Sequence, residues 1–251
     1  MVMLIGLTVQ HPTQSQSHPH YAVIGSEARS LLPLFVTADQ ITVVRVGGLT
    51  ETLKRTPIDA LIAPEQWSNT LDLQAATTAH LPIVRLKRHN SVANILANLR
   101  IVSVFVGESA AGERWLHQLQ DGLAAVRARY ANAPRIRVLI LTPEGYTEGQ
   151  GALITELITI AGGLNVAAEA GIPETRQISD TQIQDYRPHI VLLVGWTAEA
   201  AHAFASNPTY QGIPAFDQGR VLPITALGKR PAALVNDVWK LAVLLHAGTS
   251  P

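Results

Sequence analysis

Residues 49–67, LTETLKRTPIDALIAPEQW, and residues 178–196, ISDTQIQDYRPHIVLLVGW, show the same features in the same order. In each stretch a short polar segment with a helical pattern leads to a proline, then to an apolar run, and a tryptophan comes soon after that run. Because proline disfavours helical backbone at the residue before it, each stretch predicts a helix, a turn and a strand. The repetition predicts two similar half-chains.

Further short segments extend this pattern along the chain. Runs rich in β-branched residues predict strands over 21–24, 41–46, 82–86 and 136–141, in addition to 60–63 and 190–194. Helical patterns lie between them, over 70–79, 91–106, 152–161 and 198–206. This alternation is typical of an α/β fold whose parallel sheets are covered by helices on both faces.

One helical segment near the middle of the chain is much longer than the others. Over residues 109–131 the apolar side chains Trp115, Leu119, Leu123 and Val126 recur at steps of three and four residues. A helix of about 23 residues is roughly 35 Å long, enough to join two units. We therefore expect two Rossmann-like lobes, 1–108 and 132–251, joined by a linking helix at 109–131, with residues 1–20 as an irregular arm. One large sheet crossed by this helix is the alternative.

Composition excludes several functional classes. The chain has 251 residues, 19 basic and 19 acidic side chains, and no cysteine. Balanced charge argues against a nucleic-acid partner, and the lack of cysteine removes disulfides and thiolate chemistry. The histidines form no zinc-binding pair, and no Gly-x-Ser-x-Gly motif is present. We therefore predict no catalytic residues, no metal ligands and no enzyme activity.

Candidate ligand-binding residues follow the predicted strands, because open α/β sheets bind ligands beyond the carboxyl ends of their strands. Trp67 and Trp196 stand at such positions, so we predict that both face a common cleft and stack on a planar ligand. Glu65 and Gln66, which precede Trp67, are predicted to contact the same ligand.

The loop at 143–151, PEGYTEGQG, is a further candidate site. Gly149 would let the backbone approach a ligand, and Tyr146 would stack on it or bind ferric iron. An alternative hypothesis is an α/β enzyme, or a partner-binding relative, that uses 145–151 for an anionic ligand, with Glu144 and Glu148 as acids. Two short basic clusters, at 87–89 and 229–230, are predicted to be solvated surface, with contact to an anionic ligand or partner as the alternative.

The order of these motifs resembles a known family. Residues 46–49 (VGGL), 57–63 (PIDALIA) and 81–84 (LPIV) are similar to the first lobe of the periplasmic binding proteins for vitamin B12, haem and ferric siderophores. Residues 161–167 (AGGLNVA), 188–192 (PHIVL) and 207–221 resemble landmarks of the second lobe. The resemblance covers roughly residues 40–248 and implies a substrate-binding component of an ABC importer. Its ligand would be a ferric siderophore, haem or a cobalamin-type molecule held between the lobes.

The resemblance also implies a partner and a location. Family members often carry an acidic residue on each lobe that meets arginines of a membrane permease. Asp72 is the docking candidate on the first lobe, and Arg230 is the candidate on the second, where the comparable stretch 228–231 (GKRP) is basic and departs from the family pattern. We expect a monomer without a cofactor of its own, because the ligand itself carries iron or cobalt. The expected location is the periplasm or the outer face of a membrane, although the first residues show no export signal. A relative that has lost its ligand and acts as a sensor is the remaining alternative.

Overall fold

The computed structural model describes residues 18–225 and 227–247. Within these ranges, four strands precede the long helix: β1 (Tyr21–Val23), β2 (Ile41–Val43), β3 (Ala60–Pro64) and β4 (Ile83–Leu86). They form a parallel sheet in the order β2-β1-β3-β4. The α-helices of the described part of this first lobe are α1 (Ser26–Leu31), α2 (Leu49–Arg55), α3 (Thr70–Thr78) and α4 (Val92–Phe105). Of the predicted irregular arm, residues 1–17 lie outside the described part of the chain.

The long helix α5 (Ser109–Arg129) leads to a second lobe. Its strands are β5 (Ile136–Leu141), β6 (Tyr146–Glu148), β7 (Gly163–Asn165), β8 (Thr175–Gln177), β9 (Ile190–Val194) and β10 (Val221–Ile224). A parallel sheet has the order β10-β9-β5-β7, and β6 pairs with β8 in an antiparallel ribbon. The helices are α6 (Leu153–Ile160), α7 (Val166–Glu169), α8 (Asp180–Tyr186), α9 (Ala198–Ala205), α10 (Pro214–Asp217) and α11 (Leu234–His246).

The predicted fold class is confirmed, because two separate parallel sheets replace the alternative of one large sheet. The strands that sequence patterns did not predict are short or contain proline. β6, β7 and β8 have three residues each, too few to show a period. β10 contains Pro223, which is tolerated because this strand lies at the edge of its sheet.

Helix α5 packs along both lobes instead of crossing open solvent. Its apolar stripe, Leu116, Leu119, Leu123 and Val126, belongs to one continuous buried cluster that also contains residues of both sheets. The crossing of α4 and α5 is close, since a Cβ on Gly112 would lie 2.0 Å from Ser103 Oγ. The lobes are therefore held by a shared core as well as by the linking helix. No helix in the described ranges combines the length and the apolar character needed to cross a bilayer.

Polar contacts also bridge the lobes near their facing edges. Glu156 on α6 accepts a hydrogen bond from the backbone N–H of Val92 at 2.8 Å. Arg88, in the loop after β4, forms an ion pair of 3.0 Å with Glu174, in the segment before β8. These contacts hold the loop after β4 and the start of α4 against the second lobe.

Candidate functional site

A cavity of about 380 Å³ lies between the two lobes. Ser26 and Glu27 line it just after β1, and Arg88 and His89 line it after β4. The second lobe supplies a largely apolar surface, with these residues: Ile140, Leu153, Ile154, Val194, Ile224 and Leu227. Because Val194 ends β9 and Ile224 ends β10, the carboxyl ends of both sheets meet at this cavity. That is where open α/β sheets bind ligands.

The turn after β1 holds Glu27 in the cavity wall. Gly25 has a φ of +88°, and a Cβ there would lie 2.6 Å from Cγ of Pro64, so only glycine lets the turn pass this close to the end of β3. Ser26 Oγ donates a hydrogen bond of 3.1 Å to the Glu27 carboxylate. The Glu27 residue is only 8% exposed, so a buried negative charge stands at this wall.

The loop after β4 is held by a buried amide. Asn98 Oδ1 accepts from the backbone N–H of Lys87 at 2.9 Å, and its Nδ2 donates to the Lys87 carbonyl at 2.6 Å. The next two residues, Arg88 and His89, are thereby placed at the cavity. Nε2 of His89 is buried without a hydrogen-bond partner. Burial lowers the pKa of His89, and the charge of Glu27 opposes this only in part.

The opposite wall carries a second pair of charges. Glu148 ends β6, and Lys229 follows β10. Burial raises the pKa of Glu148, and the positive charge of Lys229 counteracts part of that rise. The loop that carries Lys229 is pressed against α6, since a Cβ on Gly228 would lie 2.9 Å from Leu153 Cδ2. The cavity thus combines an apolar surface with charges of both signs from both lobes.

Trp67 requires a correction, because the structure places its ring inside the first lobe. The residue is 8% exposed and packs in a cluster with Ala22, Ile24 and Leu61. The guanidinium of Arg85 lies 5.5 Å from the ring centre and also donates to the Trp67 carbonyl at 2.7 Å. Trp67 is not among the residues that line the cavity. It stabilises its own lobe and offers no stacking surface there.

Trp196 is also directed into its own lobe. Its Nε1 donates to the Leu141 carbonyl at 3.0 Å, and its ring centre lies 5.0 Å from that of Phe204. The side chain packs on the hydrophobic cluster of the second lobe and does not line the cavity. The structure therefore does not bring the two indoles together across a cleft. A cavity does lie at the strand ends, but the position of a residue after a strand did not identify which side chains turn into it.

The remaining predicted contacts also lie away from the cavity lining. Glu65 and Gln66 are exposed beyond β3, and Tyr146 is 43% exposed on β6. Gly149 serves chain packing, since a Cβ there would lie 2.0 Å from the Ile172 carbonyl oxygen. Its N–H donates to the Glu174 carbonyl at 2.7 Å. Gly149 therefore packs and hydrogen-bonds against the segment that leads into β8.

Asp72 also requires a correction. It is fully buried, and its carboxylate accepts from the backbone N–H groups of Gly47 at 2.5 Å and Leu49 at 2.9 Å. The carboxylate therefore holds the turn that begins α2 and has no surface to offer a permease. Arg230 is exposed at the surface, and its docking role stays a prediction.

The sequence patterns identified only part of the cavity lining. The lysines and arginines of the basic clusters at 87–89 and 229–230 are exposed, as predicted, and Arg88, His89 and Lys229 also line the cavity. Their position just after strands is the signal that could have identified them. Glu27, which follows the strand predicted over 21–24, carried the same signal. Within residues 18–225 and 227–247, no three histidine or acidic side chains come together as a metal site.

Comparison with known sequences identifies relatives. The family model described as periplasmic binding protein matches residues 55–226. Cobalamin-binding proteins from two strains of Halobacterium salinarum are 27% identical over 243 residues. The match covers 91% of this chain and 64% of those proteins, so the chain spans less than two thirds of the length of these curated relatives.

Solved structures share the fold. The apo periplasmic haem-binding protein RhuT from Roseiflexus sp. RS-1 has a TM-score of 0.75 at 19% identity, over 92% of this chain and 99% of that chain. The molybdate-bound periplasmic binding protein MolA from Haemophilus influenzae has a TM-score of 0.72 at 15% identity, over 92% of this chain and 87% of that chain. At such identities the likeness concerns the fold alone. Because the family match spans well over half of the sequence, this chain belongs to the periplasmic binding protein family.

Proposed function

We propose that this protein is the substrate-binding component of an ABC importer and that it captures a ferric siderophore, haem or a cobalamin-type molecule, here called the cargo. The observation that carries the proposal is the cavity at which the carboxyl ends of the two parallel sheets meet. Family membership and the cobalamin-binding and haem-binding relatives support it.

The cavity lining suits a partly apolar cargo with anionic groups. Ile140, Ile154 and Val194 offer apolar surface for a flat ring system. Arg88 and Lys229 come from opposite lobes and can each pair with a carboxylate or similar anion. A cargo that touches both cations draws on both lobes, so its binding favours their approach.

The hydrogen bonds of the loop at 145–151 favour a binding protein over the enzyme alternative. The enzyme alternative needs free backbone amides in 145–151 as a cradle for an anion. The amides of Gly149 and Gln150 instead donate to the carbonyls of Glu174 and Ile172, each at 2.7 Å. These two donors are already used within the protein, which argues against the cradle.

The proposed working context follows from the family. The protein acts as a monomer on the outer side of the cytoplasmic membrane and delivers its cargo to a membrane permease. It needs no cofactor of its own, since the metal arrives with the cargo. Arg230, exposed at the start of the segment before α11, is the proposed permease contact on the second lobe.

A panel of cargo probes tests the proposal. We expect ferric protoporphyrin, aquacobalamin or ferrioxamine B to raise the melting temperature, because a cargo at 100 times its Kd adds about 2.7 kcal/mol to the free energy of unfolding. The charge reversals Arg88→Glu and Lys229→Glu should weaken binding, whereas Lys240→Glu, on exposed α11 surface, should not. Unchanged melting with all three probes would contradict the proposal.

A further inference from the structure

Two polar contacts join the lobes beside the cavity, and they differ in how firmly they are held. The Glu156 carboxylate accepts from a backbone N–H, that of Val92, at the start of a helix. The ion pair of Arg88 and Glu174 instead joins two side chains that are 52% and 62% exposed. Water reaches both partners of this pair, so it is the contact that a competing anion can replace.

Arg88 stands where it can serve two partners. It lines the cavity, whereas Glu174 is not among the lining residues, so the ion pair lies at the cavity edge. The Arg88 carbonyl accepts from the N–H of Asn90 at 2.9 Å and from Asn94 Nδ2 at 3.2 Å, which holds the backbone in place. The guanidinium can therefore turn between Glu174 and the cavity while its loop stays fixed.

Glu174 is held for this contact by a strained backbone. Its φ is +30°, in a region that glycine and asparagine adopt far more readily than glutamate. Hydrogen bonds of 2.7 Å pin the residue, from the Glu174 N–H to the Gln150 carbonyl and from the Gly149 N–H to the Glu174 carbonyl. Strain of this kind clusters at functional positions. The fold thus keeps a carboxylate where glycine would fit with less strain.

The ion pair is weak enough to be exchanged. The contact runs from Arg88 Nη2 to Glu174 Oε1 at 3.0 Å and uses one of the five N–H donors of the guanidinium. An exposed pair of this kind favours the paired state by about fivefold at most. A cargo anion in the cavity is less exposed to water and can accept two parallel N–H donors, which makes a stronger contact. Such a cargo therefore outcompetes Glu174.

We propose that Arg88 exchanges partners as cargo binds. It pairs with Glu174 across the lobes in the empty protein and with an anionic group of the cargo in the loaded protein, so Glu174 is a competitor that lowers the affinity for anionic cargo. This inference rests on the proposed function and narrows it, since the cargo must carry a carboxylate, a phosphate or a similar anion. Loading then removes one contact between the lobes at the cavity edge.

Neutralising the competitor tests the exchange. Equilibrium titration measures the Kd of ferric protoporphyrin, which carries carboxylates, of aquacobalamin, which carries a phosphodiester, and of ferrioxamine B, which carries a cationic amine and no free anionic group. Glu174→Gln should tighten binding of an anion-bearing probe about two- to fivefold, because the ion pair no longer competes. In an Arg88→Gln background, which retains Lys229 as the other cation, the same substitution should leave the Kd unchanged.

A matched control and the probe panel separate this inference from the proposed function. Glu169 pairs with Arg137 at 2.7 Å within the second lobe, so Glu169→Gln should leave each Kd unchanged, and circular dichroism verifies that each variant is folded. Unchanged or weaker binding by Glu174→Gln, or a gain that persists in the Arg88→Gln background, overturns the exchange and leaves the proposed function standing. Binding of ferrioxamine B alone also overturns the exchange. If none of the three probes binds, both the exchange and the proposed function fail.

Discussion

The carboxylate of Glu156 in the second lobe accepts a hydrogen bond of 2.8 Å from the backbone N–H of Val92, the first residue of α4 in the first lobe. Helix α4 begins just after the loop that carries Arg88 and His89. A negative charge at a helix N-terminus is stabilised by the helix dipole and by free backbone donors. This contact therefore holds the start of α4 against α6, next to the loop whose residues Arg88 and His89 line the cavity.

Replacing Glu156 should therefore loosen the contact between the lobes. A hydrogen bond to a charged group is worth about 1.5–3 kcal/mol, and we expect Glu156→Ala to lower the free energy of unfolding by that amount. Urea denaturation measures it. Glu156→Gln keeps a hydrogen-bond acceptor, so its free energy of unfolding should fall by less.

The matched control for Glu156 is Glu51→Gln. Glu51 pairs with Lys54 and Arg55 on the exposed face of α2, at 3.4 and 2.8 Å, within one lobe. Such surface pairs contribute about 0–1 kcal/mol. Equal losses of unfolding free energy for Glu156→Ala and Glu51→Gln would contradict a special role for the hydrogen bond between Glu156 and Val92.

Asp72 should behave as a structural residue and not as a docking residue. Asp72→Ala leaves the N–H groups of Gly47 and Leu49 unpaired, and the second of these is buried. Each buried unpaired group costs about 1–3 kcal/mol, so the loss of unfolding free energy should exceed that of an exposed substitution such as Asp39→Ala. Thermal and urea denaturation report it. A fully stable Asp72→Ala variant would show that the turn does not depend on this carboxylate.

Periodicity and strand ends were enough to predict the architecture. Residues 49–55 and 109–131 showed helical spacing, and the apolar runs at 136–141 and 190–194 were long enough to mark buried strands. Pro57 and Pro188 marked the positions before which the helices had to end. The elements that escaped prediction, such as β6 and β8, have only three residues and depend on pairing with each other.

The site was harder to predict because side-chain direction is not encoded in strand order. Trp67 and the cavity residue His89 both follow strands of the same sheet, yet one packs into its lobe and the other lines the cavity. What turns Trp67 inward is the cluster around Ala22 and Leu61 together with Arg85 over its ring. These contacts join residues distant in sequence, so they emerge only in the folded chain.

Trp67→Ala should thus lower stability more than it lowers cargo affinity. Truncating a buried tryptophan costs about 3–5 kcal/mol, because apolar contacts are lost and a cavity remains. We expect a marked fall in melting temperature, while cargo affinity measured on the folded protein stays within about twofold of wild type. Trp67→Phe, which retains most of the packing, is the control. Normal stability combined with a large loss of affinity would restore the stacking role for Trp67.

The buried carboxyl of Glu148 should make stability depend on pH. Burial raises its folded-state pKa above the ordinary value of 4.5, so between these two pKa values the folded state holds more protons than the unfolded state. The free energy of unfolding therefore falls as pH rises through this window, and the loss is complete above the folded pKa. Glu148→Gln removes the titration, so its stability relative to wild type should increase from pH 4 towards pH 7 in urea denaturation. A Glu148→Gln difference that stays constant with pH would contradict the raised pKa.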